Sequence, residues 1–444
     1  MEHSILDTTS EHILSNGLKV ICFRKTSAPV VSVQIWYKTG SANERPGIRG
    51  VSHMLEHMMF RGSANVGSEE HARRINDIGG HCNAFTAEDV CAYINSVPKD
   101  YLDMVFTLEA DRMAGLTLDA ELLETERKVI VEEYHTYMNN PVAKAFLEFR
   151  KSFFGEHPYA LGPLGELDDI KSITVDDCSN YFKQNYHPSN AVVVVVGDIE
   201  SRECVFELAE KRFGRMMSPS LPPGKSSKCM LGGGVCEANG VPGWMKRVVE
   251  FDVPMLIVGF PAPASASCDA LPLDILQMIV SQGESSRLNR EVVRRHSVAV
   301  MAGGMNHFLR LSGMSLFFAA FTPDISPRRV LEAIEREISG IVEKGISEFE
   351  IEKIRNTMLT GRALEMYSAE HICHRLGYSE TIDGDFRLWI ERIGTLKNIS
   401  RQDLLAVAQS YWDCRKRYAL YLKPKKIQPA LFLMGLARKV FAHR

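Results

Sequence analysis

The chain has 444 residues, 45% of them hydrophobic and 24% charged, with a formal net charge of −3. That length supports two or more domains with full cores, and the near-neutral balance gives no long-range attraction to nucleic acid or an anionic membrane. No hydrophobic run reaches the roughly 18 residues that span a bilayer, so neither nucleic acid nor a membrane span is expected.

The opening stretch, MEHSILDTTSEHILSNG, has neither the basic start nor the apolar core of a signal peptide. Ten cysteines without a C-x-x-C pattern read as scattered buried thiols rather than a disulfide framework. A reducing cytoplasm is the compartment expected, and a mature chain trimmed of a signal would read the same, which keeps the periplasm as the alternative. A strand pair follows, His12 to Arg24 around an Asn16-Gly17 turn and then Val30 to Gly40.

The next element carries the chemistry. In HMLEH, His53 and His57 stand four residues apart and lie one above the other on a helix, with Glu56 projecting beside them. Two neutral imidazoles at that spacing suit zinc, and a carboxylate that does not ligate can take a proton from the attacking water. A catalytic zinc usually has three protein ligands. The acidic helical stretch ETERKVIVEEYHTYMNN offers Glu124, Glu126, Glu132 and Glu133, of which Glu126 and Glu133 are two helical turns apart and face the same partner. Val129, Ile130 and Tyr134 form a stripe that should bury part of this helix. The order H-x-x-E-H is the inverzincin signature, so the residues themselves predict a zinc hydrolase.

The run GIRGVSHMLEHMMFRGS, Gly47 to Ser63, resembles the active-site helix of the pitrilysin/insulinase family of zinc metallopeptidases, nearest to its mitochondrial-processing-peptidase-like bacterial branch. The resemblance implies one zinc ion per chain, held by His53, His57 and Glu133, with Glu56 as general base and Glu126 supporting the site from behind. Glu133 is singled out because 75 residues lie between it and His57, the family's distance. GGHCNAFTAEDVCAY, Gly79 to Tyr93, is similar to the family's edge strand, where Asn83, Ala84, Phe85 and Thr86 would pair with an extended peptide by β-augmentation. HPYALGPLGE and NYHPSNAVVVVVGD are also family-like, and make His157 and His187 landmarks rather than ligands.

The first half closes on the Val192 to Val196 strand, and the second half repeats its outline. Strands are expected near Val248 to Phe260, a helix over Ala270 to Ser281, a glycine-rich section at Gly303-Gly304, a strand near Ser315 to Thr322, helices through Ile390 and a last strand at Tyr418 to Leu422. The Pro/Gly/Ser-rich run Ser218 to Gly234 reads as a linker. This predicts an α+β fold of two homologous domains, 1–217 and 235–444 joined by 218–234, each a mixed, mostly antiparallel sheet with helices packed on one face. The resemblance adds a half-clamshell over a polar chamber that admits peptides or unfolded segments.

One departure bears on activity. GESSRLNREVVRRHSVAV resembles a family segment whose arginine and tyrosine hold the substrate backbone. The register set by Ser286-Arg287-Leu288 puts Val293 and Val300 in their places, with Arg294 or Arg295 as stand-ins if the register slips. In the family's two-chain members one subunit carries zinc and the other the arginine and tyrosine. The resemblance therefore implies a zinc endopeptidase acting as the catalytic subunit of a heterodimer with a paralogous chain, a homodimer being the alternative. The rivals are a non-catalytic scaffold or peptide-binding subunit related to respiratory-complex core proteins.

Other features have plainer readings. His371 and His374, one turn apart, are read as ordinary helix histidines rather than a second metal site, and Cys82 and Cys91 as buried small hydrophobes. Met58, Met59 and Phe60 should face the core, Arg290 to Arg295 a solvated helix face, and Gly232 to Gly234 a hinge.

Overall fold

Strands that alternate apolar and polar residues must bury one face, and those apolar throughout must bury both. The computed structural model, which describes residues 8–218 and 242–426, shows both kinds in two compact units. All but Ser218 of the expected linker lies outside the described residues. The first unit takes the chain up to His135, a stretch from Leu161, and Gly361–Gly394. The second takes Thr136–Ala160, the second half of the chain down to Thr360, and the chain from Thr395. Each unit thus holds a segment drawn from the other half of the sequence.

In the first unit β1 (Thr9–Ile13), β2 (Lys19–Arg24), β3 (Val30–Tyr37), β4 (His81–Thr86), β5 (Cys91–Pro98) and β6 (Ala191–Gly197) form one sheet in the order β1-β2-β6-β3-β5-β4. Only β2 and β6 run parallel; the other neighbours are antiparallel. Gly17 takes φ +88° in the β1–β2 hairpin, a conformation glycine adopts without steric cost. Along β3, Val31, Val33, Ile35 and Tyr37 enter one core and Trp36 the opposite one. Strand β6, AVVVVVG, sends Val193 and Val195 to the first core and Val192, Val194 and Val196 to the second.

The expected helical layer covers the first face. The second face is covered as well, by the Ala369–Tyr378 helix, whose Ile372, Cys373 and Leu376 lie against Trp36 and the β6 valines. A Cβ on Gly377 would stand 2.1 Å from Trp36 Nε1, so glycine is what lets helix and sheet approach. His374 packs its ring edge-on to Trp36, with centroids 5.1 Å apart, and burial brings its imidazole down to about 4.

The second unit repeats the design. Strands β7 (Gly243–Val249), β8 (Met255–Ala262), β9 (Met301–Phe308), β10 (Gly313–Ala320) and β11 (Tyr418–Pro424) lie in the order β7-β11-β8-β10-β9, with only β7 and β11 parallel. Apart from β1, this is the order of the first sheet, strand for strand, and it confirms the duplicated α+β design. The glycine-rich section is its edge strand β9, and the Ala270–Ser281 helix has the expected bounds. One core joins β8 and β10 to the Ala270–Ser281, Pro327–Lys344 and Arg401–Tyr411 helices. On the other face the Pro141–Phe154 helix sets Phe153 against Tyr418, with centroids 4.6 Å apart, and Phe149 against Gly259.

Below the second core, Glu350 accepts two hydrogen bonds from Arg287, at 2.8 and 2.9 Å, and one from the Ser347 N–H at 3.0 Å. Burial alone would raise its carboxyl, but Arg287 and Ser347 outweigh it and bring it down to about 2 from the ordinary 4.5. A depressed carboxyl contributes stability that is present above the unfolded value and lost as pH falls through the folded one. Glu350→Gln is therefore expected to flatten the acid limb of the stability–pH curve between pH 4.5 and 2, measured by denaturant unfolding at several pH values. Gly377→Ala is expected to destabilise the first unit by about 1–3 kcal/mol through overpacking against Trp36, seen as a lower thermal midpoint.

Candidate metal and catalytic site

The Val51–Met58 helix has two stripes. Val51, Met54, Leu55 and Met58, at i, i+3, i+4 and i+7, are fully buried, which leaves His53, Glu56 and His57 together on the face turned from the core. Its N-terminus begins at Gly50, φ +102°, and is held by Glu44, whose carboxylate accepts the N–H groups of Gly50 at 2.7 Å and Ser52 at 2.9 Å. Burial pushes that carboxyl up to about 7 in spite of these two donors. Met59 and Phe60 continue into or against the core, as expected.

The acidic helix, Ala120–Asn139, supplies the opposite wall. Ile130 is buried and Tyr134 packs against the core, whereas Val129 is exposed. Two turns apart on this helix, Glu126 and Glu133 meet the histidines at different depths, with side chains 3% and 47% exposed. Glu133 Oε2 stands 3.6 Å from His53 Nε2 and 3.6 Å from His57 Nε2. Four-coordinate zinc bound at about 2.0–2.1 Å holds its ligand atoms roughly 3.3 Å apart, so this triangle fits a zinc ion with little adjustment. Among the described residues these three are the one group of His, Cys, Asp and Glu whose donor atoms converge in this way, all within 4.8 Å of one another. Glu124 instead pairs with Arg127 at 2.9 Å, and Glu132 is exposed.

The imidazoles are prepared for a cation. Burial, with His57 adding to it, brings His53 down to about 4, so the ring is neutral at pH 7 and keeps a lone pair for a metal. On the far side of His57, Nδ1 lies 3.1 Å from Glu126 Oε2, the partner that fixes a ligating histidine's tautomer and orientation. Glu126 Oε1 in turn lies 2.7 Å from Arg61 Nε, and Arg61 also pairs with Glu69. A carboxylate as deeply buried as Glu126 needs such a counter-charge.

Beside the triangle, β4 forms the free edge of the sheet. Alternation sends Cys82 and Ala84 toward the first core, while Phe85 packs with Trp36 and His374 on the opposite face, and Asn83 is exposed. Thr86, on the helix side, donates its hydroxyl to Glu56 Oε2 at 2.6 Å. Burial raises the Glu56 carboxyl, partly offset by Thr86. The structure thus brings Glu56, the edge strand and the three donors together.

Neither His157 nor His187 joins the cluster. His157 accepts the Tyr159 N–H at 3.1 Å, and His187 bonds the Gln184 carbonyl at 3.1 Å. Cys91 is buried and Cys82 half-buried, both unbridged. Sequence reasoning missed Glu44, Arg61 and the side-chain role of Thr86. Arg61 carried a usable signal, one helical turn beyond His57, whereas Glu44 is joined to the helix only by the fold of the preceding loop.

In the second unit Val293 packs against the core, and Arg294 and Arg295 are exposed on a π-helical segment, Leu288–Arg295. Arg294 pairs with Glu284, and Arg295 with Glu291 at 3.2 Å.

Two models of one peptidase family match the chain. The Insulinase (Peptidase family M16) model covers residues 19–163, with every residue of the cluster, and the Peptidase M16 inactive domain model covers residues 172–358. The chain belongs to this insulinase peptidase family. It is 28% identical over 423 residues to the zinc protease PqqE of Helicobacter pylori, covering 93% of this chain and 92% of that protein. A crystal structure of a protease from Helicobacter pylori superposes with a TM-score of 0.85 at 27% identity, over 94% of this chain and 99% of that one. The M16 inactive domain from Pseudomonas fluorescens shares the fold, with a TM-score of 0.84 at 16% identity over 95% and 98% of the two chains. No helix among the described residues is long and apolar enough to cross a membrane.

Proposed function

We propose that the chain is a zinc-dependent endopeptidase that cleaves peptides or unfolded segments, with His53, His57 and Glu133 as the ligands of one zinc ion and Glu56 as the general base. The observation that carries this is the convergence of three donor atoms beside a half-buried carboxylate and a free sheet edge. The relative from Helicobacter pylori carries the name zinc protease, which supports the same chemistry.

Zinc, when bound, supplies a Lewis acid that lowers the pKa of an adjacent water toward neutrality. The free edge of β4, Asn83 to Thr86, pairs with the main chain of an extended peptide, so recognition depends little on side chains. Glu56, its carboxylate raised by burial and held at the metal face of its helix, takes the proton from the attacking water and returns it to the leaving amine. Glu126 holds the His57 ring through Nδ1, and Arg61 holds Glu126. The developing oxyanion also needs hydrogen-bond donors, which the family resemblance puts on the arginine/tyrosine side. Val293 and Val300 have none to offer, and the neighbouring Arg294 and Arg295 are paired with carboxylates of their own unit. We therefore assign these donors to a partner, a paralogous chain with arginine and tyrosine at the two valine positions; in the alternative, a homodimer, other residues of the second copy would have to supply them.

A second reading has one observation in its favour, the same two valines in a half matched by a domain model named inactive. On that reading the chain is a scaffold or a peptide-binding subunit. Glu56→Gln separates the two. Hydrolysis of a quenched fluorescent peptide, by the chain alone or mixed with an arginine/tyrosine-bearing paralogue, is expected to fall about 10²–10⁴-fold, with zinc and peptide binding retained. A scaffold would show no hydrolysis to lose. Arg61→Ala is expected to weaken zinc binding about 10–100-fold, measured by competition with a chelating dye, and Arg61→Lys to recover part of it.

A further inference from the structure

Glu56 stands on a face where its own helix gives its carboxylate the charge of a neighbouring imidazole but no side-chain hydrogen bond. A free glutamate samples many rotamers, and holding it in one costs conformational entropy. What holds it comes from the sheet. Thr86 Oγ1 lies 2.6 Å from Glu56 Oε2, a separation in the range of hydroxyl–carboxylate bonds with an ionised acceptor. Thr86 is itself fixed. It is the last residue of β4, opposite Cys91 in the ladder, and its β-branch restricts its side-chain torsion. Cys91 Sγ lies 3.5 Å behind the same hydroxyl, and burial pushes that thiol up to about 12. The thiol therefore keeps its proton and can donate to Thr86 Oγ1, which leaves the threonine proton for Glu56.

The geometry points to Thr86 as a positioning residue for the general base: its hydroxyl anchors Glu56 Oε2, adding to the backbone hydrogen bond that Thr86 also gives this carboxylate, and so fixes the group that receives the proton of the attacking water. This rests on the endopeptidase reading above. It also gives β4 two functions in one register, its main chain holding the peptide and its last side chain holding the base. The scissile bond and the base are then placed by one rigid element, as a positioned base requires.

Kinetics of the full chain, zinc-loaded and with its partner where hydrolysis needs one, give the test. Thr86→Val is expected to lower kcat about 10–100-fold, with KM within about twofold and bound zinc per chain unchanged. Thr86→Ser, which keeps the hydroxyl, should restore kcat to within about threefold. In a Glu56→Gln background Thr86→Val should cause no further loss and leave peptide affinity as it was. If the valine variant fails to fold, Thr86→Ala reads the same quantities. An unchanged kcat in the hydroxyl-less variant, a serine variant as impaired as valine, or a loss confined to KM would overturn the assignment. Wild-type chain without hydrolysis in every mixture would overturn the endopeptidase reading and this inference with it, whereas an active wild type with an equally active Thr86→Val chain overturns this inference alone.

Discussion

The register of one eight-residue helix carries the rest of the arrangement. Val51–Met58 must bury Val51, Met54, Leu55 and Met58 to join the core, and that one rotation about its axis leaves His53, Glu56 and His57 on the opposite face. A shift of one residue would turn the imidazoles inward and the apolar stripe outward. The four buried side chains contribute about 1.5–3 kcal/mol each for the larger ones, so the packing energy of the core also aims the functional groups. Glu44 completes the constraint by satisfying two N–H groups at the helix start, where a buried end without partners would be costly.

Charge at the site is arranged by depth. Glu126 is almost fully buried and is held between His57 and Arg61, so its negative charge reaches the site only through the imidazole. Glu133 is half-exposed and faces both ring nitrogens directly. Glu56 lies beside them, raised by burial and tethered to the sheet edge. Three carboxylates around two imidazoles suit a divalent cation. Their surroundings differ in kind, and suit Glu133 to ligation, Glu126 to orienting a ligand and Glu56 to proton transfer.

Much of this was legible in the sequence, and the reasons differ by element. The i, i+4 histidines and the i, i+7 glutamates are helix periodicity, which local sequence dictates. The Val192–Val196 run reads as a buried strand in a sheet with helices expected on one face, and the structure covers both of its faces. What covers that second face was not legible, because the Ala369–Tyr378 helix arrives from some 175 residues downstream and its only mark is Gly377, meaningful once Trp36 lies beneath it. The same holds for Phe149 over Gly259 in the second unit. His371 and His374 have the spacing of a metal pair but read as ordinary helix histidines, and in the structure His374 packs against Trp36 while no third donor among the described residues converges with them. Thr86 was read for its main chain. Its hydroxyl's bond to Glu56 depends on how β4 lies across the helix, which spacing does not encode.

The two units share a strand order and differ in chemistry. The Ala270–Ser281 helix follows β8 as the histidine helix follows β3, but its sequence, ALPLDILQMIVS, carries no histidine or glutamate. One copy of the duplicated design thus holds the donors while the other is matched to a domain named inactive. Everything proposed for the site depends on His53, His57 and Glu133 binding one zinc ion. Anomalous diffraction from crystals of the purified chain, collected on both sides of the zinc absorption edge, tests it most directly. A single zinc-specific peak is expected about 2.0–2.1 Å from His53 Nε2, His57 Nε2 and a Glu133 oxygen, and a zinc peak elsewhere, or none in zinc-saturated crystals, would contradict it.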